Sequence, residues 1–322
     1  MLPHLLIYAL SFIGIWIGSG LAISSVERLS KILKVSSFAV SFIVLGLFTS
    51  ISELSVGVNS ILNNDPEIYV GNLIGASIVI FMLIIPLLAI SSKSIKISPE
   101  FRGFNLPASL VVIALPVILA MDGSISRTDS LLALALFGLL VLAIQSKRGL
   151  LEKIKTINSK STFKVGKEAA RIIFGLAIIF IASKFVVEQT EYFSQALNLS
   201  PFVISLLLIA IGTNIPELSF VIRSAFMKNN QIAFGDYVGS AAFNTFIIGG
   251  LTLIYGKTVH LTNSYLVSLL FLIVGLFAFY YFARTKNSIS RKEGGVLLGM
   301  YLLFLIVELY LHKGSFVPAV IG

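Results

Sequence analysis

The 322-residue chain has no cysteine, three histidines and a single tryptophan, and only 12% of its residues are charged. The absence of cysteine excludes disulfides, thiolate metal sites and cysteine nucleophiles. No H-E-x-x-H occurs, and His4, His260 and His312 all lie at the ends of apolar runs, so a histidine-built metal centre is not expected. The scarcity of charge excludes an ordinary soluble domain. With 57% hydrophobic residues and a mean hydropathy of +0.97, the chain reads as an integral membrane protein.

About 20 apolar residues are needed to span the hydrocarbon as a helix. Ten such runs are present, near 5–25, 37–62, 68–91, 106–122, 129–146, 169–190, 200–226, 232–254, 262–283 and 295–312. They are continuous rather than alternating, which argues against a β-barrel. An all-α, ten-span protein is therefore predicted.

The net charge of +9 could suggest a nucleic-acid partner, but its distribution has a simpler origin. Loops between spans 1–2, 3–4, 5–6, 7–8 and 9–10 hold 20 of the 24 Lys and Arg residues. The other side carries the acidic pairs Asp65/Glu67 and Glu188/Glu191. By the positive-inside rule this puts both termini outside the cytoplasm of a multi-pass cell-membrane protein. The first run lacks a positive n-region and is followed by Arg28, Lys31 and Lys34, so it reads as a retained span rather than a cleaved signal. The polar stretch 148–168 reads as a basic cytoplasmic linker between halves 1–147 and 169–322, resting against anionic lipid heads. It is too short for a regulatory calcium-binding domain. Membrane lipids and small inorganic cations are the expected partners; no nucleic acid, obligate protein partner or resident cofactor is expected.

Shifting the sequence by 164 residues brings two polar interruptions into register. "FTSISELS" at 48–55 falls on "GTNIPELS" at 212–219, aligning Thr49 with Thr213 and Glu53 with Glu217. Gly71 and Gly75 then fall on Gly235 and Gly239, and nine identities occur across positions 49–80. The copies sit five spans apart. Five is odd, so the second copy enters the membrane from the opposite side, as in the inverted repeats of secondary transporters. Gly212 and Pro216 are suited to breaking a membrane helix near its middle. The G-x-x-x-G pairs can equally serve close helix packing.

Glu53, Glu217 and Asp236 lie within apolar spans, where a charge costs at least about 2.5–3.5 kcal/mol and usually marks an ion or proton pathway. Arg223, close to the cytoplasmic end of its span, and Lys184, near the far end of span 6, are poorly placed to neutralise both glutamates. Two carboxylates surrounded by Thr49, Ser50, Thr213, Asn214, Ser240 and Asn244 form an all-oxygen environment, which suits Ca²⁺ and the similarly sized Na⁺ better than Mg²⁺.

The pairs "FTSISE…GNLIGAS" and "GTNIPE…GDYVGSAAFN" resemble the two α-repeats of the sodium/calcium exchanger and cation/Ca²⁺ antiporter superfamily, prokaryotic type without a regulatory domain. Their usual text is close to G-T-S-x-P-E and G-N-x-x-G-S-N-x-x-N/D. The resemblance implies two inverted five-helix repeats, with Glu53 and Glu217 as central cation ligands. It adds Thr49, Ser50, Thr213, Asn214, Ser240 and Asn244 around them. Phe48, Ser52, Ala76 and Ile80 depart from the pattern in the first repeat. Ser77 lies one position from Ala76, about 100° around the helix. In the second repeat Asp236 stands in place of asparagine. These departures bear on ion stoichiometry.

The resemblance implies antiport of Ca²⁺ against Na⁺ by alternating access, not enzymatic catalysis. H⁺/Ca²⁺ antiport with a protonated carboxylate is the alternative, and a non-transporting family member is a third reading. "AFGDYVG" around Asp236 lacks the first glycine of the G-x-G-D text of membrane aspartyl proteases, and no second aspartate sits in a span to complete a dyad. Glu308 is expected to be interfacial, near Tyr310 and His312.

Overall fold

In a computed structural model, the described residues are 1–33, 46–92, 94–97, 103–145, 162–197, 199–215, 217–218, 221, 231–261 and 265–312. The first helix, α1 (Leu2–Leu33), is followed by the short α2 (Gly46–Thr49) and by α3 (Ile51–Leu62). Helix α4 (Glu67–Val79) continues through a π turn at Ile80–Ile84 into α5 (Ile85–Ser91). Strand β1 (Ser94–Lys96), helix α6 (Asn105–Leu119), strand β2 (Ser124–Ile125) and helix α7 (Arg127–Gln145) complete the first half.

The second half opens with α8 (Thr162–Leu197) and α9 (Pro201–Ile204), and a π turn at Ser205–Ile209 leads into α10 (Ala210–Thr213). Then come α11 (Gln231–Tyr255), β3 (Val259–His260), α12 (Leu266–Lys286), β4 (Ser288–Ser290) and α13 (Arg291–His312). Residues 162–168, the end of the stretch read as a linker, form the first turns of α8; 146–161 lie outside the described residues, as do Pro216 and Arg223.

Among the described residues, seven helices are long and apolar enough to cross a membrane, and three shorter apolar segments, Leu2–Gly18, Ile51–Leu62 and Pro201–Thr213, accompany them. The continuous helix Glu67–Ser91 and its counterpart Phe234–Tyr255 are the most enclosed, with 83% and 78% of their most apolar stretch buried; Arg127–Ile144 and Arg291–Leu311 have only 28% buried. The first two form the centre of the molecule. The outer helices turn large apolar side chains such as Leu139, Phe174, Phe277 and Ile306 outward, as a lipid-facing surface requires.

Small residues let the central helices approach. A Cβ on Gly46 would lie 2.7 Å from the carbonyl carbon of Gly239, and one on Gly75 would lie 2.7 Å from Cβ of Ala210. The 164-residue offset maps 46 onto 210 and 75 onto 239, so both contacts are the same crossing made twice.

The all-helical expectation omits two small antiparallel sheets, β1 with β4 and β2 with β3. Ile95 pairs with Ile289 and Ile125 with Val259, all four buried. The offset carries the first pairing onto the second (95 to 259, 125 to 289). It also relates Gly123 and Asn287, both left-handed at φ 85° and 49°. Their carbonyls accept from Leu261 and Ile97 at 2.9 and 2.8 Å. Glycine takes this conformation freely, and asparagine is among the few other residues that do so readily.

Two capping boxes obey the same rule. Asp129 Oδ2 accepts from the Ser126 backbone N–H at 2.8 Å at the start of α7, and Glu293 Oε2 accepts from that of Ser290 at 2.7 Å at the start of α13. Three-residue strands carry too little periodicity to be read within such apolar text.

The side chain of Glu308, expected to be interfacial, is turned into the protein. It is fully buried on α13. Elsewhere Glu168 on α8 pairs with Arg28 of α1 at 2.8 Å and with Arg171 at 2.9 Å, tying together one end of the α1–α8 pair.

Candidate cation-binding site

The site lies where two helices are interrupted. Ser50 separates α2 from α3 with φ −75° and ψ 4°, and Asn214 ends α10 with φ −90° and ψ 11°. A regular helix has ψ near −42°. Both side chains donate back to the carbonyl four residues earlier at 2.8 Å, Ser50 Oγ to Gly46 and Asn214 Nδ2 to Ala210. Short polar side chains that compete for backbone acceptors favour such local breaks.

All ten predicted site residues are buried, none more than 1% exposed. Asn214 Nδ2 lies 3.4 Å from Glu53 Oε1. Ser240 Oγ on α11 donates to Glu217 Oε1 at 3.4 Å and lies 3.0 Å from Ser50 Oγ. These contacts draw Glu53, Ser50, Asn214, Glu217 and Ser240 into one cluster. Thr49 Oγ1 donates to Asp236 Oδ1 at 3.3 Å, and Thr213 Oγ1 donates to Asn72 Oδ1 at 3.2 Å. Asn244 Nδ2 donates to Ser77 Oγ at 3.3 Å, pairing residues of opposite halves one helical turn beyond Ser240.

Ser52 and Asn72 belong to the cluster although sequence reasoning did not place them there. Asn72 is the 164-offset equivalent of Asp236, and that offset was the available signal. Ser52 stood out only as a departure from a proline. Its hydroxyl lies 2.8 Å from Glu53 Oε2, 3.0 Å from the carbonyl of Thr49 and 3.2 Å from that of Thr213.

Among the described residues no base balances the charges here: Lys184 pairs with Glu188, and no ion pair reaches Glu53 or Glu217. Nor do three acidic or imidazole side chains among the described residues converge as a metal centre. A cation held here would take two carboxylates plus neutral oxygens, with Asp236 set back behind Thr49. Asn214 Oδ1, Glu217 Oε2 and Asn244 Oδ1 are buried without a hydrogen-bond partner. Buried polar atoms are rarely left so, and a cation is a partner that such oxygens could accept. These three are oxygens, whereas the amide nitrogen of Asn72, also buried without a partner, adds a donor to the same cluster.

A sequence model for the family described as sodium/calcium exchanger protein matches residues 3–145 and 167–310. The chain belongs to the sodium/calcium exchanger protein family. The two matched stretches begin 164 residues apart, the offset already found within the chain (3 to 167). The sodium/calcium exchanger MaX1 of Methanosarcina acetivorans is 32% identical over 146 residues, which cover 45% of this chain and 41% of that protein. The inner membrane protein YrbG of Escherichia coli is 26% identical over 83% of this chain and 85% of its own length.

The sodium-calcium exchanger NCX_Mj, soaked with 2.5 mM Na⁺ and 10 mM Sr²⁺, shares the fold at a TM-score of 0.69 and 23% identity, covering 95% of this chain and 98% of that one. This family member is thus a multi-pass membrane exchanger and not an enzyme.

Proposed function

We propose that the chain is a secondary active antiporter that exchanges Ca²⁺ against Na⁺ by alternating access, with Glu53 and Glu217 as the central cation ligands. The observation that carries this reading is the pair of fully buried glutamates, each beside a helix break and neither in an ion pair among the described residues. Two bare carboxylates in a low-dielectric interior repel each other and lack solvation, so an empty carrier is disfavoured. A divalent ion, or Na⁺ in its place, relieves both costs. Thr49, Ser50, Thr213, Asn214, Ser240, Asn244, Ser77 and Asp236 supply or orient further oxygens around it.

Ten spans arranged as two inverted five-helix repeats, with both termini extracytoplasmic, complete the proposal. Support comes from the paired strands, which the 164-residue offset exchanges. Helix α6 leads from β1 to β2 and α12 from β3 to β4, so the sheets lie at opposite ends of both helices. A rotation that exchanges opposite ends of the bundle is the one that inverts a repeat.

The test is ⁴⁵Ca²⁺ uptake into proteoliposomes under separately imposed Na⁺ and pH gradients. An outward Na⁺ gradient is expected to drive uptake. Glu53→Gln and Glu217→Gln are each expected to lower it about 100-fold or more, since removing one partner of a buried charge pairing costs about 3–5 kcal/mol. Uptake that follows pH and ignores Na⁺ would replace Na⁺ by H⁺. Indifference to both substitutions would overturn the proposal.

A further inference from the structure

The two halves of the site are not chemically equivalent. Glu217 receives a hydroxyl from across the helix interface, Ser240 Oγ on α11 at 3.4 Å. The offset maps Ser240 onto Ala76 of α4, which has no hydroxyl, and Glu217 onto Glu53. The face of α4 on which Ala76 lies is still turned to the site, because Asn72, one turn earlier, accepts from Thr213 at 3.2 Å. Ala76 itself is fully buried. Ser77 does not make up the loss: its hydroxyl lies against the Leu73 carbonyl at 3.2 Å and Asn244 at 3.3 Å.

Glu53 nevertheless has a seryl hydroxyl, 2.8 Å from Oε2, and it comes from Ser52 on its own helix. The offset maps Ser52 onto Pro216, which has neither hydroxyl nor backbone donor. Each carboxylate therefore has one serine partner, but the serines occupy non-equivalent positions, 52 in one half and 240 in the other.

Ser52 has a second relationship that Ser240 lacks. Its oxygen lies 3.0 Å from the Thr49 carbonyl and 3.2 Å from the Thr213 carbonyl, which the offset relates to each other. The hydroxyl therefore sits between equivalent main-chain oxygens of the two halves, beside the pseudo-twofold axis. One hydroxyl hydrogen faces three acceptors, and only one of them can be served at a time.

We infer that Ser52 is the positioning residue of the Glu53 carboxylate, supplying from α3 the hydroxyl that position 76 of α4 lacks. The inference rests on the exchanger reading above. Its consequence is a lopsided cage. Glu53 Oε2 is held by Ser52 and Oε1 faces Asn214, whereas Glu217 Oε2 has no hydrogen-bond partner and is open to a cation. The hydroxyl fixes which oxygen of Glu53 the ion meets, and so bears on Ca²⁺ affinity rather than on folding.

The test measures Ca²⁺ uptake against Ca²⁺ concentration in proteoliposomes for Ser52→Ala, Ser52→Thr, Ala76→Ser and the double variant Ser52→Ala/Ala76→Ser, with Glu53→Gln and Glu217→Gln alongside. Ser52→Ala is expected to raise the Ca²⁺ KM about tenfold with little change in maximal rate, the scale of one charge-assisted hydrogen bond. Ser52→Thr keeps the hydroxyl and is expected to stay within about twofold of wild type, since the same donor is retained.

Ala76→Ser is expected to change little alone and to recover most of the loss in the Ser52→Ala background. Should Ser52→Ala not purify as a monodisperse protein, Ser52→Cys, of similar size but with a weak donor, takes its place in both single and double variants. An unchanged KM in Ser52→Ala, or a double variant no better than the single, would overturn the inference. The exchanger reading would survive that result as long as the glutamate variants were inactive. If the glutamate variants also transported normally, the reading beneath it would fall as well.

Discussion

Thr49 donates its hydroxyl to Asp236 at 3.3 Å, and the 164-residue offset carries this pair onto Thr213 and Asn72, where Thr213 donates at 3.2 Å. One contact is built twice, once onto a carboxylate and once onto an amide. The geometry is common to both halves and the charge belongs to only one.

Asp236→Asn is therefore expected to preserve the fold, because an amide oxygen accepts from Thr49 as the carboxylate does. It removes one negative charge from the interior near Glu217. The apparent Ca²⁺ affinity should fall about tenfold, a modest share of the Coulomb energy available at an effective dielectric constant of about 20. Uptake measured against Ca²⁺ concentration, with a thermal melt in detergent as control, checks both halves of the expectation. An unchanged KM would place the charge of Asp236 outside the field of the bound ion.

Gly46 and Gly75 make the same helix crossing in the two halves. Alanine at either position is expected to lower the melting temperature in detergent by several degrees, since overpacking costs about 1–3 kcal/mol. Neither neighbour can yield easily: the Gly239 backbone faces Gly46, while Gly75 meets Ala210 and the Leu206 carbonyl. Gly138 on α7 has nothing within 4 Å of where its Cβ would stand. Gly138→Ala should be neutral or slightly stabilising, as alanine is the better helix former by about 1 kcal/mol.

Asp65, in the turn between α3 and α4, is pushed up to about 7 by burial and by the neighbouring charges of Glu67 and Glu191. A carboxyl raised above its unfolded value binds its proton more tightly in the folded protein, so its charged form costs stability. That cost is absent well below pH 4, grows as pH rises toward 7, and is complete above it. Asp65→Asn is expected to raise the melting temperature at pH 8 and to leave it unchanged near pH 3. A stabilisation that grew toward acid would contradict the burial and charge argument.

The apolar runs, the two glutamates and the 164-residue repeat were legible in the sequence because each is a property of spacing and composition. Asn72 was within reach of the same offset. The role of Ser52 was hidden because its partners, the Thr49 and Thr213 carbonyls, are backbone atoms brought together only by the crossing of two interrupted helices. The burial of Glu308 was hidden for a related reason: its place near the end of an apolar run speaks to depth along the helix, while packing decides which way the side chain turns. The strands β1 to β4 are two or three residues long, and such pieces are defined by a partner distant in sequence rather than by their own text. The capping boxes Ser126–Asp129 and Ser290–Glu293 were written in the sequence and mark the starts of α7 and α13.

Each of the small sheets takes one strand from either half of the chain. A polypeptide severed between residues 146 and 161 would leave every one of these strands without its backbone partner, and would part Glu53 from Asn214 and Ser50 from Ser240. Neither fragment could satisfy those groups with lipid. The two halves are similar in text, yet the strands of each are completed only by strands of the other.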